Sequence, residues 1–285
     1  MLSGPLQPAK VKHDAFEHLC ASLFLESKDL VVMLTAYFDE SYNHRTPKTP
    51  NDPLVYTVGC WISTTEQWKR FGKKWKSALR SADIDHFHMK DYETRHGDYE
   101  FWTEAKRIGV LKRLHRIIKD HVLHGMTISL NCSAYDKLIK PQLRYAFGKT
   151  YYGFDVQVCL RRLSEWCDEQ NIKEPIHYVF ADLAKQGGDL DSIFRTIAKK
   201  PELKEVYRCN SMWTKGIMKD VVQLQAADIS AYELNKRAVN HVGHGTKFIR
   251  RSLQNLNLYR NFDPLYFGEP ELLKWIEVHS SGEPY

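Results

Sequence analysis

Apolar and polar positions along this chain fall into two periods. The first clear block, Val31 to Phe38, is almost continuously apolar, the pattern of a strand covered on both faces. It runs into the stretch AYFDES, where Asp39, Glu40 and Ser41 follow aromatic residues without a break. Asn43 to Pro53 carries three prolines with Asn and Asp and reads as a loop. Leu54 to Ser63, LVYTVGCWIS, is a second β-rich block, so the two blocks predict a hairpin with a long connection.

The period then changes. Thr65 is a candidate helix cap, and Trp68, Phe71, Trp75 and Leu79 recur at helical spacing. Lys69, Arg70, Lys73, Lys74 and Lys76 occupy the rest of that helix. HFHMKDY reads as a short extended piece. A second helix over about Thr103 to His121 places Ile108, Leu111, Leu114 and Ile118 inward, with Lys106, Arg107, Lys112, Arg113 and Arg116 outward. Met126 to Cys132 and Ile176 to Phe180 read as strands, the second followed by Asp182. Tyr151 to Gln170, Leu190 to Lys199 and Leu224 to Val239 read as helices, and Val206 to Trp213 as a further strand. A short helix is expected at Ala15 to Leu25, and a basic helical turn at Lys247 to Leu253 before a Pro/Gly-punctuated tail. The mixture of strands and helices, with neither internal repeat nor clean βαβ repetition, predicts one mixed α/β domain. Its expected divisions are an N-terminal extension (1–30), a main domain (31–240) and a C-terminal extension packed on it (241–285).

Composition narrows the class. At 285 residues and 43% hydrophobic the chain can bury a proper core, and 27% charged residues match a folded domain. The net charge of +6 is concentrated: residues 66–120 hold 14 Lys/Arg against 9 Asp/Glu. A local positive face of that kind suits an anionic partner, although a solvated lysine-rich face explains such patterns more often. The six cysteines form no C-x-x-C pair and mostly sit in apolar runs, which reads as buried thiols in a reducing compartment. The apolar stretch Leu19 to Leu34 is interrupted by charges, so no membrane span is expected and the cytoplasm is the expected location.

Three carboxylates stand out by position. Asp39 ends the first strand, Asp182 follows the strand IHYVF, and Asp228 lies in the late helix. Crevices at strand ends are where open α/β sheets bind ligands. In the late helix Leu224, Ala227, Ala231, Leu234 and Ala238 form an apolar stripe, and Gln225, Asp228, Tyr232 and Asn235 a second stripe one residue on. Asp228 therefore belongs at the rim of the buried face, and the alanines allow a close approach to the sheet. Acids gathered there repel unless a cation separates them, and oxygen-only ligation suits Mg²⁺ or Mn²⁺. Such ions can clamp a phosphodiester and activate water. Each acid also has an ordinary reading: Asp39 as a loop residue, Asp228 as a surface acid paired with Arg237 or a lysine, Asp182 as dispensable beside Asp189 and Asp191. His88, with Asp91, is either a metal or proton-transfer residue or a structural histidine. Lys219 is either a phosphate contact or an ordinary surface lysine. Lys69, Lys73, Lys74, Lys112 and Arg113 are the candidate nucleic-acid contacts. P-loop, nucleophile-elbow and zinc-protease motifs are missing from the sequence.

YFDES, FHMKD, YVF followed by an acid, and K-D-x-x-x-L-Q-A-A-D-I-x-A-Y-E, in this order between about Met33 and Arg237, resemble the DUF 3800 family, a bacterial family of unknown function. The resemblance implies a ribonuclease H-like fold: a mixed β-sheet flanked by helices, here with a C-terminal helical extension. That fold places acids on the first strand, on a later strand beside it and on a C-terminal helix, which match Asp39, Asp182 and Asp228. It implies a metal-dependent nuclease, of a type often met in mobile elements and defence loci. Glu40, Ser41, Glu233 and Gln225 are then candidates to support the acids, His88 to move protons, and Lys219 to neutralise phosphate. The chain departs from the family pattern twice, with Ala181 where Glu often follows the YVF-like strand and Tyr42 where Gly often follows FDES. Two alternatives follow from the same residues: a non-catalytic module binding nucleic acid or a protein partner, and a phosphoesterase acting on small nucleotides.

Overall fold

Nine residues from Leu34 to Tyr42 form strand β1, and the ladder continues through both acids of the AYFDES segment. The first strand therefore does not stop at Phe38: its partner β2 (Val55–Thr64) pairs antiparallel along its whole length, with Asp39 opposite Gly59 and Tyr42 opposite Tyr56. The computed structural model describes residues 33–43, 52–144, 148–182, 187–209, 212–244, 250–257 and 261–280. The helix expected at Ala15 to Leu25 lies outside them, as do most of the loop after Asn43 and the start of the basic turn at Lys247.

After β2 come α1 (Thr65–Ala82), α2 (Met89–Thr94), α3 (Glu104–His121), β3 (His124–Asn131), α4 (Cys132–Leu138), α5 (Tyr151–Glu169) and β4 (Ile176–Ala181). Then follow α6 (Gly187–Lys199), α7 (Pro201–Val206), β5 (Thr214–Gly216), α8 (Leu224–His244), α9 (Arg251–Asn257), β6 (Phe262–Phe267) and α10 (Glu269–Ser280). The sheet is mixed, in the order β5-β4-β1-β2-β3-β6. β1, β2 and β3 form an antiparallel meander, while β4 runs parallel to β1, β5 to β4 and β6 to β3.

Strand alternation sorts the core into two layers. Phe38, Val58, Cys60, Ile128 and Phe180 face α5, where Phe154 and Leu163 pack. Tyr37, Trp61, Val179 and Ala181 face α8, α1 and α3, with Trp68, Trp75 and Ala227 filling the layer. The expected apolar stripe of α1 is buried, as are Leu111, Leu114 and Ile118 of α3, but Arg107, expected outward, is buried and Ile108 is only half-buried, because Arg107 turns in to donate to the Tyr92 carbonyl. The α1 cap is Thr64 rather than Thr65: Thr64 accepts from Gln67 N, and Thr103 from Lys106 N. Such caps are worth about 1 kcal/mol each.

Three elements differ from expectation. HFHMKDY is not extended throughout, since its last residues open α2, with His88 at the cap position. The described residues of Val206 to Trp213 form no strand: α7, opened by Pro201 at its first turn, ends at Val206, a turn follows at Tyr207 and Arg208, and the strand that pairs with β4 comes later, at Thr214–Gly216. The C-terminal extension is not purely helical, because β6 adds a strand to the sheet beside β3. The five cysteines described, Cys60, Cys132, Cys159, Cys167 and Cys209, are buried free thiols. Among the described residues no helix is long and apolar enough to cross a membrane.

Candidate active site

The close seating of α8 on the sheet begins with Gly59. A Cβ there would lie 2.7 Å from the Ala227 carbonyl oxygen, 2.9 Å from the Ala231 nitrogen and 2.6 Å from Ser230 Oγ. Only glycine on the strand and small residues on the helix permit that contact. Trp61 Nε1 donates to the Ala226 carbonyl at 2.9 Å, and Asn235 Nδ2 donates to the Val55 carbonyl at 2.9 Å, fixing the helix along the strands. Because Gly59 is the ladder partner of Asp39, this contact carries Asp228 up to Asp39.

Both acids are buried, and each shows it electrostatically. Burial is the largest cause that pushes Asp39 well above the usual carboxylate range, followed by the charges of Asp228 and Glu40. Glu40 is pushed up to about 8, chiefly by burial, with Asp228 adding to it. Asp228 rises to about 6 through burial, opposed by the nearby His88 and by the Met89 N–H. That N–H donates to Asp228 Oδ2 at 2.6 Å from the first turn of α2. Glu40 N donates to Asp39 Oδ1 at 2.9 Å, while Glu40 Oε2 is buried with no hydrogen-bond partner among the described residues.

His88 and Asp91 sit at the mouth, with Nδ1 of His88 2.8 Å from Asp91 Oδ2. His86, which sequence reasoning passed over, is close as well. Its pKa is lowered by burial and then by Lys219 and His88, which puts the Lys219 ammonium at the same mouth. The cluster is thus Asp39, Glu40 and Asp228 inside, with His88, Asp91, His86 and Lys219 around it.

Other candidates are placed elsewhere. Asp182 forms an ion pair with Lys215. Lys215 is the ladder partner of Phe180, on the α5 layer, so this acid does not join Asp39 and Asp228. The residue that shares the Asp39 layer on β4 is Ala181. Gln225 is not available to a substrate: its Oε1 accepts from Trp75 Nε1 at 2.7 Å and Phe87 N at 3.0 Å, and its Nε2 donates to the Met218 carbonyl at 2.9 Å. It anchors the chain just before His88 instead. Glu233, fully buried, faces Arg250, whose Nε lies 3.1 Å from its Oε2. Ser41 contributes its carbonyl, which accepts from Asn235 Nδ2 at 3.3 Å. Lys69, Lys73, Lys74, Lys112 and Arg113 are all exposed, on α1 and α3.

Among the described residues no group of three or more His, Cys, Asp and Glu side chains is arranged to hold a metal ion. The signals for the missed residues were present but weak. Gly59 stands alone inside a β-rich run, and Met89 acts through its backbone, which leaves no mark in sequence. In comparison with known proteins, no family model matches the chain and no curated protein matches it.

Proposed function

We propose that this chain is a cytoplasmic nuclease with a ribonuclease H-like, DUF 3800-type domain, dependent on Mg²⁺ or Mn²⁺ held by Asp39 and Asp228. One observation carries the reading: acids from the first strand and a late helix, remote in sequence, are both buried and lie close enough that the charge of Asp228 raises the proton affinity of Asp39. The mixed sheet, with β4 parallel to β1 and α8 seated across it, supports the fold assignment. Two carboxylates suit such an ion, because Mg²⁺ keeps several waters and takes only one or two protein carboxylates in nucleotide sites. Glu40 Oε2, with no hydrogen-bond partner among the described residues, offers a further oxygen. Bound there, the ion would polarise a phosphodiester and lower the pKa of an attacking water.

The chain's own groups have separable roles in this reading. Met89 N–H orients Asp228 and favours its ionised form. Asp91 fixes the ring of His88, which stands ready to pass a proton at the mouth. Lys219 and the exposed cations of α1 and α3 neutralise substrate phosphates. Gln225 keeps the Phe87–Met89 segment in place.

The test is cleavage of labelled single- and double-stranded DNA and RNA with Mg²⁺, Mn²⁺ or EDTA. Wild type should cleave only with the divalent ion. Folded Asp39→Asn and Asp228→Asn variants should lose at least ~100-fold, and full activity in either would sink the proposal. Hydrolysis confined to mononucleotides would assign a small-nucleotide phosphoesterase instead. A second reading, a non-catalytic module binding nucleic acid or a protein, is favoured by Ala181 standing where a third acid would complete the pocket. It requires binding that survives both EDTA and the acid substitutions.

A further inference from the structure

Helix α1 packs in the same layer as α8, and two of its tryptophans fix its direction. Trp68 Nε1 donates to the Thr35 carbonyl at 2.8 Å, near the start of β1. Trp75 Nε1 donates to Gln225 Oε1 at 2.7 Å, one turn before Asp228 on α8. The helix therefore runs toward the acid cluster. Its two flanks have different neighbours. On one, Gln67 Oε1 lies 3.1 Å from His121 Nδ1 at the end of α3. On the other, a Cβ at Gly72 would lie 3.8 Å from Gln223 Nε2 and 4.0 Å from Val222 Cγ2, in the segment that leads into α8. At about 100° per residue, Lys76, Lys69, Arg80 and Lys73 follow Gly72 outward on that second flank, within an arc of roughly 60°. The neighbouring segment carries Lys219. Asp220 N and Val221 N both donate to the Ile217 carbonyl, closing a tight turn around it. Gln225 Nε2 donates to the Met218 carbonyl at 2.9 Å and its Oε1 accepts from Phe87 N at 3.0 Å, so the turn is tied to the chain just before His88. These five cations are exposed, and among the described residues none of their side chains forms an ion pair or a hydrogen bond. The other cations of α1 differ: Arg70 is paired with Glu66, the helix's one acid, at 3.0 Å, and Lys74 turns to the α3 flank.

A file of unpaired cations leading to a phosphodiester site has a particular use. A nucleic-acid backbone carries one charge per nucleotide, and cations that neutralise it release its condensed counterions. From Lys69 to Arg80 the helix rises about 16 Å, the length of about five nucleotides of a duplex strand at ~3.4 Å each. A mononucleotide cannot span that distance. We propose that Lys69, Lys73, Lys76 and Arg80, continued by Lys219, form a track for a sugar–phosphate backbone, and that the acid cluster acts on a polynucleotide lying along α1 rather than on a mononucleotide. This rests on the reading of the acid cluster as a phosphodiester site.

Binding of fluorescent oligonucleotides tests it over about 50–200 mM salt, in EDTA so that cleavage does not intervene. The probes are single-stranded DNA, single-stranded RNA and the two corresponding duplexes. The proteins are wild type, the triple variant Lys69→Gln/Lys73→Gln/Lys76→Gln, and a control triple, Lys199→Gln/Lys200→Gln/Lys204→Gln. The control removes the same charge from exposed lysines of α6, α7 and the junction between them, which pack on the other layer. All six positions are exposed, so both triples should fold. Wild type should bind at least one probe, with an affinity that falls as salt rises. The α1 triple should weaken that binding by at least ~10-fold at the lowest salt and flatten the slope of log affinity against log salt by about 2, since each lost phosphate contact removes ~0.7–0.9. The control should stay within about twofold and keep the slope. The probe bound most tightly identifies the sugar and the strandedness, and excess mononucleotide should not displace it. No binding of any probe, equal losses in the two triples, an unchanged slope, or displacement by the mononucleotide would each overturn the inference. Its failure is separable from that of the nuclease reading. Full cleavage by folded Asp39→Asn and Asp228→Asn variants would remove the catalytic assignment and leave the binding result standing. Hydrolysis of mononucleotides without oligonucleotide binding would remove the track and leave the acids as a phosphoester site.

Discussion

Asp155 shows how much a single side chain can impose. It lies on α5, fully buried, and neither carboxylate oxygen has a hydrogen-bond partner among the described residues. Burial pushes its pKa well above the usual value, so the folded protein favours the neutral acid. A folded-state pKa above the unfolded one gives a contribution to stability that is complete below about pH 4 and is lost as pH rises through the folded value. Asp155→Asn should therefore reduce the fall in stability between about pH 5 and about pH 8. Denaturant midpoints of both proteins at the two pH values check this, and identical slopes would refute it. The sequence shows Asp155 only as a polar residue in a helix. Its burial depends on which face of α5 meets the sheet, and both neighbouring faces carry apolar residues.

Between elements, the decisive contact is α8 on β2. Gly59→Ala would drive a methyl group against the helix backbone at Ala227 and Ala231, which cannot give way as a flexible side chain does. We expect a loss of about 1–3 kcal/mol, and, on the proposed nuclease reading, reduced cleavage in the protein that still folds, because Asp228 rides on the displaced helix. Gly109→Ala on α3 is the control: nothing lies within 4 Å of its added methyl, so it should be neutral or mildly stabilising. Urea midpoints distinguish the two, and equal effects would disprove the account. The small-residue stripe of α8 was legible from spacing alone, since Ala227 and Ala231 fall one turn apart. Gly59 as its counterpart was not, because strand register joins residues that the sequence keeps far apart. The same blindness explains Gln225. It was expected to support the acids from its place on the Asp228 stripe, yet Trp75 and the Phe87 backbone occupy it.

At the scale of the molecule, the C-terminal segment is part of the fold. β6 pairs with β3, and Arg250 reaches both α8 and α2: its Nη2 is 2.5 Å from Glu93 Oε2, and its Nε meets the buried Glu233. Glu233 would otherwise be an isolated buried acid; burial still lifts its pKa to about 7 against the pull of Arg250. Arg250→Met should cost about 3 kcal/mol by leaving that acid uncompensated. Adding Glu233→Gln should restore most of the loss, and a double variant no more stable than the single one would reject this role. Because α2 supplies the Met89 N–H to Asp228, the same strap helps to hold the candidate site in register.

The linear pattern by itself determined the element types that rest on local periodicity: the β1–β2 pair, the capped lysine-rich helices, the long α5, and α8 with its stripe of small residues; Asp228, expected at the rim of that stripe, is buried because α8 is covered on all sides from Leu224 to Ala231. Those features follow from spacing and capping, which act within a few residues. Tertiary structure alone decided which acids meet. Pairing in register with β2 extended β1 through the acids, and the glycine opposite Asp39 let α8 close upon it. The step from Ala181 to Asp182 put the latter on the other layer with Lys215, because successive strand residues face opposite sides. It also decided that the tail supplies a strand, since β6 forms only where β3 offers an edge. Contacts of that kind depend on groups distant in sequence, and no local period records them.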